Sequence, residues 1–97
     1  MDVTVPEGTD ILALTLEGDM DPARTTSMRV MLRTVGGDEV WRGPASRPLE
    51  GRSGGGARVE IPAASLPADD YIVTLFSTDV SGVETEEARY FLQLRRK

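Results

Sequence analysis

An all-β fold, a seven-strand antiparallel sandwich, is the class this sequence predicts, and three observations predict it. Apolar and polar residues alternate with period two in segment after segment, as half-buried strands require. Clusters of Gly, Pro, Asp and Ser punctuate those segments at intervals of roughly ten residues. Nowhere do apolar residues recur at spacings of three and four, the signature of an amphipathic helix. At 97 residues, 39% hydrophobic and 28% charged, the chain is sized and composed for one globular domain, residues 1–97, with a single core.

The opening stretch, residues 1–9, is polar around Pro6 and Gly8 and reads as a linker remnant left by a cut from a longer protein. The first strong segment is Ile11 to Leu16, with Leu12, Leu14 and Leu16 on one face. The turn formers from Glu17 to Pro22 end it. Met28 to Arg33 follows, with Met28, Val30 and Leu32 inward and Arg29 and Arg33 outward. Gly36, Gly37 and Asp38 form a tight turn, because glycine adopts positive φ without steric cost. A short strand, Glu39 to Arg42, answers across that turn. Residues 43–56 hold two prolines and five glycines and read as a flexible loop, with at most a short edge strand near Leu49.

Ala57 to Ile61 alternates again and stops at Pro62, which cannot extend a ladder. Tyr71 to Phe76 is apolar on both faces, as a central strand is. Ala88 to Leu94 closes the series with Tyr90, Leu92 and Leu94 inward. The most specific local signal is Leu66-Pro67-Ala68-Asp69-Asp70-Tyr71, a turn running into a strand whose first inward residue is tyrosine. That is the corner of an immunoglobulin-like or fibronectin type III-like sandwich, where the tyrosine hydroxyl bonds backbone a few residues upstream. Leu66, Tyr71, Tyr90 and Trp41 are accordingly expected to be structural, Trp41 as a core residue on the middle strand.

Charge and missing residue types narrow the function. With 16 acidic and 11 basic residues the net charge is −5, the wrong sign for nucleic acid or an anionic lipid surface. The chain has no Cys, His or Asn. The usual zinc and iron ligand sets are therefore missing, as are disulfides and N-glycosylation. A serine nucleophile has no base to activate it, since the sole lysine is Lys97. The expectation is a protein that is not an enzyme, with no catalytic residue, no metal ligand and no cofactor. No apolar run reaches the roughly 18 residues of a membrane helix, so this chain inserts no helix into a bilayer. Glu17, Asp19 and Asp21 stand two residues apart, but Pro22 follows where a calcium loop has more ligands. Gly51 to Gly56 lacks the Gly-Lys-Ser/Thr ending of a phosphate loop.

Three stretches together, Gly54 to Ala63, Leu66 to Tyr71 and Glu86 to Phe91, with Val40-Trp41, resemble a bacterial family. They are similar to the C-terminal immunoglobulin-like domain of putative zinc-finger, anti-sigma-factor-like membrane proteins. Its signature runs Gly, Val-Trp, Leu-Pro-Ala, Gly-Asp-Tyr and Tyr-x-Phe, and Asp69 stands here where the family more often has Gly. The resemblance spans most of residues 11–96. It implies an extracytoplasmic domain on the periplasmic side, carried by a transmembrane segment and an N-terminal zinc finger that lie outside this chain.

The expected function is a non-catalytic binding or structural module, the sensor or protein-interaction domain of such a membrane-anchored protein. Its contact with a protein partner, or with a second copy of itself, would run through an edge strand or an outer sheet face. Ile72, Phe76 and Phe91 mark that outer face as a candidate interface. The alternative is a ligand- or carbohydrate-binding sandwich, with or without calcium, which requires an exposed aromatic platform including Trp41. The basic ending Arg95-Arg96-Lys97 is read as solvated.

Overall fold

Alternation in the sequence becomes two sheets facing each other across one core. The computed structural model describes residues 2–17, 25–46 and 56–96. Seven strands run β1 (Asp2–Val5), β2 (Ile11–Glu17), β3 (Thr25–Thr34), β4 (Glu39–Ala45), β5 (Gly56–Pro62), β6 (Asp69–Asp79) and β7 (Glu84–Arg96), with a 3₁₀ turn at Ala63–Ser65. One sheet has the order β1-β7-β6-β3-β4, and the other is the pair β2-β5. The molecule is a β-sandwich measuring 41 × 30 × 18 Å, its thin axis matching two sheets roughly 10 Å apart with their outer side chains.

The inner faces follow the expected pattern. Leu14 and Leu16 on β2 and Val59 and Ile61 on β5 meet Met28, Val30 and Leu32 on β3, Tyr71, Val73 and Leu75 on β6, and Leu92 and Leu94 on β7, all buried. Trp41, Tyr90 and Leu12 pack against this cluster half-buried. The β3–β6 and β6–β7 ladders are antiparallel and put β6 at the centre of the larger sheet. Its central place leaves neither edge of β6 unpaired, while its outer residues Ile72 and Phe76 are half-buried.

The architecture departs from the sequence expectation in two ways. The larger sheet is mixed: β1 runs parallel to β7, with Asp2 opposite Gln93 and Val5 opposite Arg96. The purely antiparallel expectation is corrected there. A parallel pair needs a long crossover only when its strands are consecutive, and these are the first and the last. The strand β1 also lies within residues 1–9, expected as linker; Val5 is buried at 2% exposure and Val3 packs on the core. The loop expected over residues 43–56 meets β4 through Ala45 and β5 from Gly56. Ser46 and Arg58 exchange reciprocal backbone hydrogen bonds of 2.8 and 2.7 Å, tying the end of β4 to β5. The edge strand near Leu49 and the acidic run at Asp19 and Asp21 lie outside the described residues.

The tyrosine corner is present in geometry. Tyr71 is fully buried, and its hydroxyl donates to the Pro67 carbonyl at 2.5 Å. Burial, followed by the nearby Asp69 charge, raises the Tyr71 pKa above the ordinary tyrosine value, while Arg96 opposes the rise. Leu66 is fully buried beside it. Arg96, read from the sequence as part of a solvated terminus, donates to the carbonyls of Ala63 and Leu66. The end of β7 thus holds the 3₁₀ turn that leads into the corner.

Candidate interaction surface

Side chains alternate across a strand, so β6 sends Tyr71, Val73, Leu75 and Ser77 inward and Ile72, Thr74 and Phe76 outward. Ile72 stands directly opposite Phe91 on β7 and Arg33 on β3. Phe91 is 48% exposed, while Ile72 is half-buried. Together they form an aromatic–aliphatic cross-strand pair in the upper part of the outer face.

Phe76 lies four residues further along β6, in a different environment. Its register partners are Arg29 on β3 and Glu86 on β7. The Arg29 guanidinium sits 4.5 Å from the Phe76 ring centroid, within the range of a cation–π contact. Arg29 also makes a two-pronged hydrogen bond to Glu84, Nη2 to Oε1 at 2.7 Å and Nε to Oε2 at 3.1 Å. That hydrogen bond holds the Glu84 carboxyl below its ordinary range and raises the Arg29 pKa. A second fork joins Arg89 to Glu86 at 3.0 Å on both arms. Phe76 therefore lies under the guanidinium of the Arg29–Glu84 ion pair, whereas Phe91 is 48% exposed.

Between the two aromatic residues lies Thr74, on the outer face yet fully buried. Met31 and Arg89 are its register partners, so side chains from β3 and β7 close over the middle of β6. Its Oγ1 has no hydrogen-bond partner. The sequence expectation grouped Ile72, Phe76 and Phe91; the structure pairs Ile72 with Phe91 and sets Phe76 apart under Arg29. The signal for that separation was Arg29 itself, an outward residue on the neighbouring strand.

Trp41 belongs to the inner face. It is opposite Leu32 in the β3–β4 register and packs half-buried against the core. Its indole lies over Gly43, where a Cβ would come within 2.7 Å of two ring atoms. This position does not supply the open platform that sugar stacking needs. Among the described residues no group of three or more His, Cys, Asp and Glu is arranged to hold a metal ion. Nor is any helix among them long and apolar enough to cross a membrane.

The class defined by these features is a β-sandwich with a partly apolar, ion-pair-framed outer face. No family model matches the chain, and no curated protein matches it in sequence. Among solved structures it is similar to CopC from Methylosinus trichosporium OB3b, with a TM-score of 0.54 over 96% of this chain and 82% of that one. Identity is 17%, so the likeness shows a shared sandwich fold, and function must be argued from the surface.

Proposed function

We propose that this protein is a non-catalytic, extracytoplasmic binding module that recognises a protein through the outer face of its five-stranded sheet. The observation that carries this reading is the Ile72–Phe91 pair: a large aromatic side chain, 48% exposed, set on a rigid central ladder. Aromatic residues on rigid strands make effective anchors, because they bury large area and lose little conformational freedom. The flanking Arg29–Glu84 and Arg89–Glu86 pairs give the polar rim such a patch needs.

The order β7-β6-β3-β4 against β2-β5, with the Tyr71 corner, supports an immunoglobulin-like topology. The similarity of residues 54–63, 66–71 and 86–91, with Val40-Trp41, to anti-sigma-factor-like membrane proteins supports placing the module on the periplasmic side, as the sensor or interaction domain of a longer anchored chain. The half-buried Trp41 weighs against a carbohydrate platform.

The test is site-specific photo-crosslinking in native cells. A benzophenone amino acid at position 91 should give a discrete protein adduct that Ile72→Asp abolishes. The same probe at Val35, an exposed residue in the β3–β4 turn, should give none. Absence of an adduct at position 91, or equal labelling at both positions, would remove the outer face as the recognition surface.

A further inference from the structure

We infer that the edge of β2 that no described strand covers pairs with the β2 of a second copy of this chain, closing an antiparallel two-fold dimer. The inference rests on the binding-module reading above and names one partner, and one edge, for its self-association. Every sheet edge offers a row of backbone N–H and C=O groups that calls for a strand, and stable monomers blunt such edges with charge, proline or brevity. Among the described strands, three of the four sheet edges are blunted in that way. The β1 edge is four residues long, starts at Asp2 and ends before Pro6. The β4 edge carries Glu39, Arg42 and Pro44, and proline lacks a donor. The β5 edge carries Arg58, Glu60 and Pro62 and is already engaged by Ser46 at Arg58.

The β2 edge carries charge only at its ends, Asp10 before it and Glu17 as its last residue, and has none of these devices between them. It pairs with β5 on one side and with no described strand on the other. From Ile11 to Leu16 it contains no charge, no proline and no glycine. Ile11 is 51% exposed, and Ala13 and Thr15 are exposed beside it. On a chain of net charge −5 an uncharged strip is the place where two copies meet with least repulsion. Antiparallel pairing centred on Ala13 sets Leu12 opposite Leu14 and Ile11 opposite Thr15, with no like charges opposed within residues 11–15. It continues the smaller sheet from two strands to four, β5-β2-β2-β5, and joins the two inner rows of Leu12, Leu14 and Leu16.

Such a contact is isologous, so it closes as a dimer, and the blunted outer edges prevent further growth. A strip of this length buries less than the roughly 1,000 Å² expected of a stable interface, so the dimer is weak and depends on concentration.

The experiment is sedimentation equilibrium of the full chain over a wide concentration range. The average mass should rise from 10.5 kDa toward twice that value and level off there. Ala13→Lys should weaken association about tenfold or more, because two lysines then face each other across the two-fold axis. The substitution is exposed and opposite Glu60, so the monomer fold should survive, as an unchanged thermal midpoint would show. Thr15→Lys, opposite Arg58, is the second edge variant and should weaken association likewise. A constant mass of 10.5 kDa at every concentration would overturn the inference while leaving the outer-face reading intact. Association abolished by Phe91→Glu but untouched by Ala13→Lys would also overturn it, and would place self-contact on the outer face.

Discussion

At the scale of single residues, Gly43 shows how an absent side chain positions a present one. Trp41 and Gly43 point to the same side of β4, two residues apart, and the indole covers the space that a Cβ would occupy. Gly43→Ala forces the ring off that place, and the ring is already packed against the core. The expected cost is about 1–3 kcal/mol, the usual penalty for overpacking, with Trp41 emission shifted to the red as the ring is displaced. Combining Gly43→Ala with Trp41→Leu should cost less than the sum of the two single changes, because one clash underlies both. Chemical denaturation of the two single variants and the double variant measures this directly. Additive costs would mean that the ring and the glycine do not share their space.

At the scale of elements, the strands show what alternation can and cannot convey. The inward positions of β3 and β7 were legible because Met28, Val30 and Leu32, then Leu92 and Leu94, repeat cleanly against arginines and glutamine. The ends of the strands were not. The β7 strand runs from Glu84 to Arg96, but its first four residues are polar and exposed, so only backbone pairing with β6 makes them a strand. The β1 strand was hidden because four residues are too few for periodicity to stand out, although Val3 and Val5 do alternate. Arg96 was read as solvated because a terminal arginine has no sequence signal for carbonyls thirty residues away. In the candidate site, Ile72 and Phe91 were legible as outward apolar residues, whereas the Arg29 roof over Phe76 depends on cross-strand register. That register also carries a pH prediction. Glu84 has its pKa lowered by the Arg29 hydrogen bond, so the stability it lends is complete above the ordinary carboxylate value and disappears as pH falls through its lowered value. Arg29 stays charged throughout, its own pKa being raised. Glu84→Gln should therefore lower the thermal midpoint slightly at neutral pH and flatten the acid limb, with the difference from the wild type fading in strong acid. Because Glu84 is exposed, added salt should shrink the effect, and a gap that persisted in high salt would contradict this account.

At the scale of the whole molecule, the unequal sheets decide how the fold comes apart. A two-stranded sheet is marginal by itself in water, so β2-β5 depends on the inner face of the larger sheet for its stability. The dependence runs both ways, since Val30, Leu32, Val73 and Leu75 would be stripped to solvent if β2-β5 lifted away. The core is one cluster that spans both sheets, and the Ser46–Arg58 bridge and the Arg96 contacts to the 3₁₀ turn stitch its margins. Unfolding is therefore expected to be a single transition. Trp41 reports on the larger sheet, and far-ultraviolet circular dichroism reports on all strands, so their denaturation curves should coincide. Val59 on β5 lies in the opposite sheet from Trp41 and is 1% exposed. Val59→Ala should cost about 1.5–3 kcal/mol, the value of burying a valine side chain, and move both curves by the same amount. If the dichroism shifted while the tryptophan transition stayed in place, the two sheets would be separate cooperative units. The outer face carrying Ile72 and Phe91 would then keep its shape without β2-β5, and the edge proposed for self-pairing would belong to the part that melts first.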